Sequence, residues 1–185
     1  MAKTPSSMQP LGTMAPGFSL EDVISGKKIT LNDNPQAKGY VMMFICNHCP
    51  FVKHVSDGLV QLANDYMKQG ICFFAINSND VETHPDDSPD HMKITAKQLG
   101  YPFPYLFDAT QDVAKAYGAA CTPDFFIYDH EQKLVYRGQL DDSRPGNNIP
   151  VTGDSIRAAL DCLLSKKPVS ETQKPSLGCN IKWKV

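Results

Sequence analysis

A helix between two apolar runs is the feature that most constrains the fold of this chain. The runs are GYVMMFIC, residues 39–46, and ICFFAIN, residues 71–77, and neither alternates between apolar and polar residues. Such runs are typical of strands that are covered on both faces. Between Pro50 and Gly70 apolar residues recur every three or four positions, at Val52, Val55, Leu59, Leu62, Ala63 and Tyr66. This spacing predicts an amphipathic helix that ends at Gly70 and joins the two buried strands.

Shorter elements are predicted on both sides of this centre. The segment FSLEDVISGKKITLND, residues 18–33, reads as a hairpin that turns at Ser25-Gly26. After the second buried strand, Ser88-Pro89 has the residue types of an N-cap and a first helical residue, and the helix is expected to reach Leu99. The N-terminal part of the chain therefore contributes a β-hairpin, and the middle contributes a second helix.

The second half of the chain alternates helices and strands. YPFPYLFD is extended, ATQDVAKAYGA predicts a short helix ended by Gly118, and DFFIYDH with KLVYRGQL predicts a hairpin that turns at Glu131-Gln132. GDSIRAALDCLLSKK predicts the last helix. The whole order predicts an α/β fold, a three-layer α/β/α sandwich in which helices cover both faces of a central mixed sheet.

Composition limits the domain count and the partners. The 185 residues suit one domain, 1–185, with an extended lead at 1–16 and a tail at 168–185. A net charge of −2 gives no broad attraction to nucleic acid or to an anionic membrane, so we expect proteins or small molecules as partners and a monomer or homodimer. No apolar stretch at the start resembles a signal core, which predicts a cytoplasmic location.

Two of the six cysteines, Cys46 and Cys49, stand three positions apart where the first buried strand becomes a helix. In a reducing compartment such a pair is better explained by catalysis or metal than by a structural disulfide. A catalytic dithiol needs an attacking thiolate, a second thiol that resolves a mixed disulfide, and local positive potential. The helix start supplies that potential, and we expect Cys46 to face it, with Cys49 one turn further in.

The two residues between the cysteines are expected to tune the pair. CxxC thiols span attacker pKa values of roughly 3.5 to 7.5, depending on local charge and hydrogen-bond donors. Here Asn47 and His48 occupy these positions, and a protonated or hydrogen-bonding His48 favours the thiolate. Stabilising the reduced form makes the disulfide more oxidising, so we predict a potential above that of an ordinary reducing thioredoxin.

Other interpretations of the pair stay open. Cys46 and Cys49 could be inert core thiols, or they could bind zinc together with His54 and a distant fourth ligand. The sequence has no second CxxC and no HxxxH that completes a tetrahedral site, so we expect no metal. Farther along, Thr122-Pro123 precedes a strand, which suggests a cis bond, a strand that starts there, or a trans proline in an ordinary loop.

These parts together resemble the thioredoxin fold: a strand, a CxxC, a helix, then a proline before a hairpin and a final helix. More closely, MFICNHCPFVKH, AINSND, YPFPYLFD, VAKAYGAACTPDFFIYD, YRGQLDDSRPGNNIPVTG and PSLGCNIKWK resemble the peroxiredoxin-like branch of the alkyl hydroperoxide reductase and thiol-specific antioxidant (AhpC/TSA) superfamily. The likeness runs over nearly the whole chain. It implies that Cys46 attacks, that Cys49 resolves, and that Pro123 is a cis proline.

The peroxiredoxin pattern fits less well around the pair. In that family the cysteine that attacks peroxide aligns with Cys49, so that Cys49-Pro50 resembles its Cys-Pro. The family's threonine three positions earlier is replaced by Cys46, and its upstream proline is absent. The buried acid that thioredoxins carry below the site is also missing from GYVMMFIC, so proton transfer to Cys49 needs another group or water.

The remaining cysteines and two polar loops complete the candidates. Cys72 and Cys162 are expected to be structural, while Cys121 and Cys179, with Thr122, are accessory candidates for which packing is favoured over redox chemistry. The acidic loop DDSPD, flanked by His84 and His91, could bind a divalent cation. A solvent-exposed helix start explains the same residues without a metal, because carboxylates are favourable near a helix N-terminus. Arg144 is expected to anchor its loop by pairing with Asp141 or Asp142 rather than to clamp a substrate.

The leading hypothesis is a thiol-disulfide oxidoreductase without a cofactor. Its partners are protein or small-molecule disulfides and an external thiol reductant. The alternative is a thiol-dependent hydroperoxide reductase, in which Cys49 or Cys46 becomes a sulfenic acid and its neighbour condenses with it. A third class, a zinc-bearing or scaffold protein without enzymatic activity, would hold zinc and resist mild oxidation of its thiols.

Overall fold

The computed structural model describes residues 3–185 and contains one large mixed sheet of seven strands. In chain order the strands of both sheets are β1 (Lys3–Pro5), β2 (Ser19–Asp22), β3 (Lys28–Thr30), β4 (Gly39–Phe44), β5 (Ile71–Asn77), β6 (Tyr105–Phe107), β7 (Cys121–Thr122), β8 (Asp124–Asp129), β9 (Leu134–Gly138) and β10 (Leu177–Asn180). The large sheet has the order β3-β2-β6-β5-β4-β8-β9. The β4/β5 and β5/β6 pairs are parallel and the other pairs are antiparallel.

Four α-helices cover the two faces of this sheet. They are α1 (Pro50–Met67), α2 (Pro89–Leu99), α3 (Asp112–Tyr117) and α4 (Asp154–Leu164). The buried residues of α1, α2 and α4 share one core with Val41, Met43 and Ile45. Those of α3 pack on the opposite face, against Met42 and Phe44. The predicted three-layer α/β/α sandwich with a central mixed sheet is therefore confirmed.

Strand β4, the first of the two apolar runs, is apolar on both faces because each of its faces packs in a core. Every residue of β4 is buried, and successive side chains enter opposite cores, as the twofold period of a strand requires. The N-terminal hairpin β2-β3 and the hairpin β8-β9 form as predicted, the first with Gly26 at a φ of 72° in its turn. A strand buried on both faces fixes the position of the loop that follows it, residues 45–49.

A second, smaller sheet differs from the prediction of a plain lead and tail. Both chain ends form strands, in the order β1-β10-β7. Cys179 in β10 lies opposite Lys3 in β1 on one side and Thr122 in β7 on the other. These strand pairs join residues separated by more than 50 positions in sequence, so no local sequence pattern predicts them. This small sheet brings the C-terminal segment to the end of β4 where the cysteine pair lies.

Candidate active site

The cysteine pair occupies the loop between β4 and α1, and both cysteines precede the helix. Pro50 is the first residue of α1 and Cys49 is its N-cap. The free N–H groups and the positive end of the helix dipole therefore face Cys49 rather than Cys46. Cys46 lies two residues beyond β4, after Ile45, whose N–H donates to the Ile76 carbonyl. The expectation that Cys46 faces the helix end is thus corrected.

The two thiols lie against Thr122, which precedes a cis Thr122–Pro123 peptide bond. The Cys46 sulfur is 3.4 Å from the Thr122 hydroxyl, and the Cys49 sulfur is 3.2 Å from the Thr122 carbonyl oxygen. The two sulfurs also hydrogen-bond to each other. Cys46 keeps 2% of its surface exposed and Cys49 keeps none. The structure therefore brings together Cys46, Cys49, Thr122 and Pro123 as predicted.

The negative charge of the reduced pair resides on Cys49. The hydrogen bond from the Cys46 thiol is the largest cause that lowers the pKa of Cys49, to about 4. Burial opposes it, while the Cys179 thiol, the Val52 N–H and the Thr122 hydroxyl also favour the Cys49 thiolate. Conversely, the bond to Cys49, burial and the nearby charge of Asp87 raise the pKa of Cys46 well above its usual range. The reduced pair thus holds one proton, on Cys46, and one charge, on Cys49.

An ion pair between His48 and Asp87 lies beside the thiols. Nδ1 of His48 is 2.5 Å from Oδ2 of Asp87, whose side chain is fully buried. This hydrogen bond raises the pKa of His48, and burial opposes it. Burial also opposes ionisation of Asp87, but hydrogen bonds from His48, Asn79 and the Asn47 N–H outweigh it and hold the pKa of Asp87 below its ordinary value. The ring of His48 stacks on His84 with centroids 5.1 Å apart.

Asn47 connects the loop of the cysteine pair to neighbouring segments through hydrogen bonds. Its N–H donates to Asp87 at 2.7 Å, and its side-chain amide donates to the Asp86 carbonyl at 2.8 Å. Its side-chain oxygen accepts from the Tyr105 hydroxyl at 2.9 Å. Its backbone N–H and both ends of its side-chain amide thus bind other parts of the protein. Asn47 therefore fixes the loop between the cysteines to the loop that carries Asp87.

Asp87 is the functional residue that sequence reasoning missed. It belongs to DDSPD, which predicts a solvated helix entry, and this interpretation is wrong for Asp87, although Asp86 and Asp90 are exposed. The available signal was the run of polar residues at the end of β5, since Asn79 there donates to Asp87 at 2.9 Å. Asp87 thus places an acid beside the cysteine pair, and this acid comes from a loop and not from β4, where the sequence has none.

Another buried acid lies on β8. Asp124 is fully buried opposite Phe44 of β4, and burial raises its pKa to about 6. Its carboxylate accepts from the Ser6 hydroxyl at 2.8 Å and from the Ala120 N–H at 3.1 Å. It therefore supports the small sheet and the segment that leads to Thr122.

Of the other accessory candidates, Cys179 reaches the pair and Cys121 does not contact it. The Cys179 thiol forms a hydrogen bond with Cys49, and burial together with the Cys49 charge raises the pKa of Cys179 to about 12. The Cys121 sulfur instead lies 3.6 Å from the Pro123 carbonyl oxygen, and burial raises the pKa of this thiol. The tail thus brings a third thiol to the pair, while Cys121 packs in the core.

Arg144 is a loop anchor, although its partners differ from those predicted. Its guanidinium donates to the carbonyl oxygens of Asp141 and Ser143 and to the side-chain oxygen of Gln139, at 2.6–2.7 Å. The carboxylate of Asp142 pairs with Lys174. Arg144 therefore holds backbone and amide oxygens rather than the predicted carboxylates.

The zinc interpretation through His54 does not fit the geometry. Nε2 of His54 is 2.7 Å from the Ser143 hydroxyl, so this side chain belongs to the Arg144 loop. Among residues 3–185, the group whose donor atoms lie within 4.8 Å of one another is Cys46, His48 and Asp87. Each of these side chains already has a hydrogen-bond partner in the site. The cluster is therefore fully explained by the hydrogen bonds that it makes.

Curated relatives of this chain include thiol-disulfide oxidoreductases. It is 26% identical over 129 residues to thiol-disulfide oxidoreductase ResA of Halalkalibacterium halodurans, a match that covers 70% of this chain and 68% of the relative. It is also 26% identical over 125 residues to the ResA protein of Bacillus cereus, covering 68% of this chain and 67% of the relative. In the part of the chain that the structure describes, no helix has the length and apolar character needed to span a bilayer.

Solved structures share this fold over most or all of the chain. A conserved protein from Geobacillus kaustophilus is 64% identical, with a TM-score of 0.98, over 100% of this chain and 97% of its own. A thiol:disulfide interchange protein of the thioredoxin family from Chlorobium tepidum shares the fold at 20% identity, with a TM-score of 0.60, over 88% of this chain and 99% of its own. The AhpC/TSA family model matches residues 11–137, which contain the cysteine pair and the cis proline. The chain therefore belongs to the AhpC/TSA family.

Proposed function

We propose that this protein is a thiol-disulfide oxidoreductase that works through a reversible bond between Cys46 and Cys49. The observation that carries this proposal is the hydrogen bond between the two sulfurs at a helix N-terminus, with the charge held on Cys49. Two thiols in contact can close a disulfide with little movement, and a stabilised thiolate is the reactive form in exchange. The curated relatives carry the same activity in their names.

Cys46 is proposed to attack because it is the sulfur that keeps some exposure. Its proton passes to the Cys49 thiolate along their shared hydrogen bond. The Cys46 thiolate then attacks one sulfur of the substrate disulfide, forms a mixed disulfide and releases the other substrate sulfur as a thiolate. The released thiolate is protonated from solvent.

Cys49 completes the reaction by resolving the mixed disulfide. After losing its proton it attacks the Cys46 sulfur, forms the Cys46–Cys49 bond and releases the second substrate thiolate. The protein has gained a disulfide, the substrate has gained two electrons, and an external thiol reductant restores the pair. Substrates are protein or small-molecule disulfides, and we propose a cytoplasmic location, a monomer or homodimer, and no bound cofactor.

His48 and Asp87 are proposed to tune this cycle. A protonated His48 near Cys49 favours the thiolate, and Asp87 keeps His48 protonated through their hydrogen bond. Stabilising the thiolate stabilises the reduced pair, which makes the disulfide more oxidising than that of a reducing thioredoxin. His48 and Asp87 are therefore positioning residues that act through the charge on Cys49.

Trapping a substrate tests this assignment directly. Cys49→Ser leaves an attacking Cys46 without its resolving partner, so mixed disulfides with a model disulfide protein should accumulate on a non-reducing gel. Cys46→Ser should abolish catalytic disulfide exchange, and Cys121→Ser, which removes a buried thiol that does not contact the pair, is the matched control. If Cys46→Ser retained disulfide exchange, another thiol would have to be the attacking residue, and the proposal would be contradicted.

A second candidate function, reduction of hydroperoxides, is supported by one specific observation. The Cys49 thiolate at the helix N-cap, followed by Pro50, has the placement of the peroxide-attacking cysteine in the family. Attack on peroxide would convert Cys49 to a sulfenic acid, with release of water or an alcohol, and Cys46 would condense with it. Full burial of Cys49 makes this the less favoured of the two. Measuring hydrogen peroxide consumption separates them.

A further inference from the structure

We propose that Cys179 is a third redox residue, which accepts the disulfide from the active pair by attacking the sulfur of Cys49. This inference rests on the proposed function and extends it from two cysteines to three. Its starting point is the position of Cys179 in β10, directly opposite Thr122. The Thr122 hydroxyl lies 3.4 Å from the Cys46 sulfur, and its carbonyl oxygen lies 3.2 Å from the Cys49 sulfur. Residues directly opposite in an antiparallel pair place their side chains on the same face, so Cys179 lies on the face of Thr122 that meets the pair.

The small sheet is built to hold Cys179 at this place. Cys179 lies directly opposite Thr122, the residue that contacts both cysteines of the pair. A Cβ on Gly178 would stand only 2.0 Å from the Thr122 carbonyl oxygen, so glycine is what lets β10 approach this closely. The same oxygen lies 3.2 Å from the Cys49 sulfur. The approach of β10 and the position of Cys179 beside Cys49 are therefore one geometric feature.

Further hydrogen bonds fix the start of β10. The Ser176 hydroxyl donates to the Pro123 carbonyl at 2.6 Å, and the Ser176 N–H donates to the Ser6 hydroxyl oxygen at 2.8 Å. On its other side β10 pairs with β1, where Lys3 lies opposite Cys179. Because β10 is held on both edges, the backbone of Cys179 is fixed beside Thr122.

The step conserves electrons and needs no further oxidant. Starting from the Cys46–Cys49 disulfide, the Cys179 thiolate attacks the Cys49 sulfur, the Cys49–Cys179 bond forms, and the Cys46–Cys49 bond breaks. The bonding electron pair leaves with Cys46, which takes up the proton that Cys179 lost. The chain still holds one disulfide, and Cys46, which keeps 2% of its surface exposed while Cys49 keeps none, is again a thiol. The oxidised protein can therefore attack a second disulfide or receive a reductant at Cys46.

Cys121 provides an internal comparison. It is as deeply buried as the pair and lies one residue from Thr122, but its sulfur is directed to the Pro123 carbonyl oxygen. If proximity in sequence to the site were enough, Cys121 would compete for Cys49. The contacts instead single out Cys179, so the exchange should be specific to it.

Mapping the disulfides of the oxidised, unsubstituted protein tests the proposal. Oxidised glutathione first forms the Cys46–Cys49 bond through attack by Cys46, and Cys179 should then convert part of it to the Cys49–Cys179 bond. Mass spectrometry of acid-quenched peptides should find both bonds, with Cys46 open to alkylation in the second form, because the intramolecular thiol has a high effective concentration. The Cys121→Ser variant should give the same two bonds.

Substitution of Cys179 defines the contrary result. Cys179→Ser and Cys179→Ala should form only the Cys46–Cys49 bond, with circular dichroism verifying the fold of each. If the oxidised, unsubstituted protein contained no Cys49–Cys179 bond at any glutathione ratio, the proposal would be overturned. Failure of the proposed function is distinguishable, because the unsubstituted protein would then form no Cys46–Cys49 bond.

Discussion

Asp87 and His48 form a hydrogen-bonded ion pair beside the two cysteines, although 39 positions separate them in sequence. The carboxylate is fully buried, and His48 joins it to the loop of the pair. The protein thereby places a titratable cation near Cys49 and a buried anion near Cys46. This arrangement determines how protons are distributed over the site.

Replacing Asp87 should change the titration of His48. Asp87→Asn removes the charge that raises the pKa of His48, so that pKa should fall, and loss of a buried charged partner should destabilise the protein by about 1–3 kcal/mol. Titration of the His48 ring by NMR measures the first effect and urea unfolding the second. Asp86→Asn, at an exposed neighbour, is the matched control. An unchanged His48 titration in Asp87→Asn would contradict the assigned cause.

The ion pair should also make stability depend on pH. Because the folded pKa of His48 lies above its unfolded value, the stabilisation is fully present below the unfolded pKa of about 6.5 and is lost as pH rises through the folded pKa. His48→Gln should therefore destabilise the protein more at pH 5.5 than at pH 9, which lie about one unit below and about two and a half units above 6.5. Equal losses of unfolding free energy at the two pH values would argue against a protonated His48.

His48 should affect the redox potential as well. His48→Ala removes a positive charge near Cys49, so the pKa of Cys49 should rise and the pair should become more reducing, by on the order of 30 mV. The equilibrium with a glutathione buffer gives the potential, and thiolate absorbance gives the pKa. The exposed His130→Ala is the control. A lower potential without a rise in the Cys49 pKa would show that His48 acts by another route.

Gly178 should be intolerant of a side chain. In Gly178→Ala the new Cβ meets the Thr122 carbonyl oxygen, which cannot move without disturbing β7, so a loss of about 1–3 kcal/mol is expected. Displacement of β10 should also speed alkylation of Cys179. Gly17→Ala, at a position with open space around it, should be close to neutral. A Gly178→Ala protein as stable as Gly17→Ala would show that β10 does not lie this close to Thr122.

The raised pKa of the Asp124 carboxyl should make the protein less stable as pH rises. Its folded pKa of about 6 exceeds the unfolded value, so the folded state binds the proton more tightly, and its contribution falls by about 3 kcal/mol between pH 4 and pH 7. Asp124→Asn abolishes this titration but weakens the bonds to Ser6 and Ala120. Its unfolding free energy relative to the unsubstituted protein should therefore increase over that interval. A constant difference across the interval would contradict a raised Asp124 pKa.

The sequence predicts the large sheet well because its signals are local. Each signal lies within a short stretch of sequence: the two apolar runs, the helix periodicity and the glycine at the hairpin turn. β1 and β10 were not predicted because each is only three or four residues long and pairs with a distant segment. Short strands of this kind depend on tertiary contacts for their existence.

At the site, residue identities were predictable and their environments were not. Cys46, Cys49, Thr122 and Pro123 meet as the motif implies. Proline favours the first helical position, so Pro50 makes the residue before it, Cys49, the N-cap. Burial of Asp87 in a loop of acidic and proline residues depends on partners from two other segments, the loop of the cysteine pair and the residues that end and follow β5, and composition alone favours exposure.

The most direct test of the central claim is a redox titration of the full chain, stripped of metal, against glutathione, with mass spectrometry locating each disulfide and a parallel hydrogen peroxide assay. The account predicts a reversible two-electron bond between Cys46 and Cys49 at a potential above that of a reducing thioredoxin, with negligible peroxide turnover. Rapid peroxide consumption with a sulfenic acid at Cys49, and no Cys46–Cys49 bond at any glutathione ratio, would contradict it.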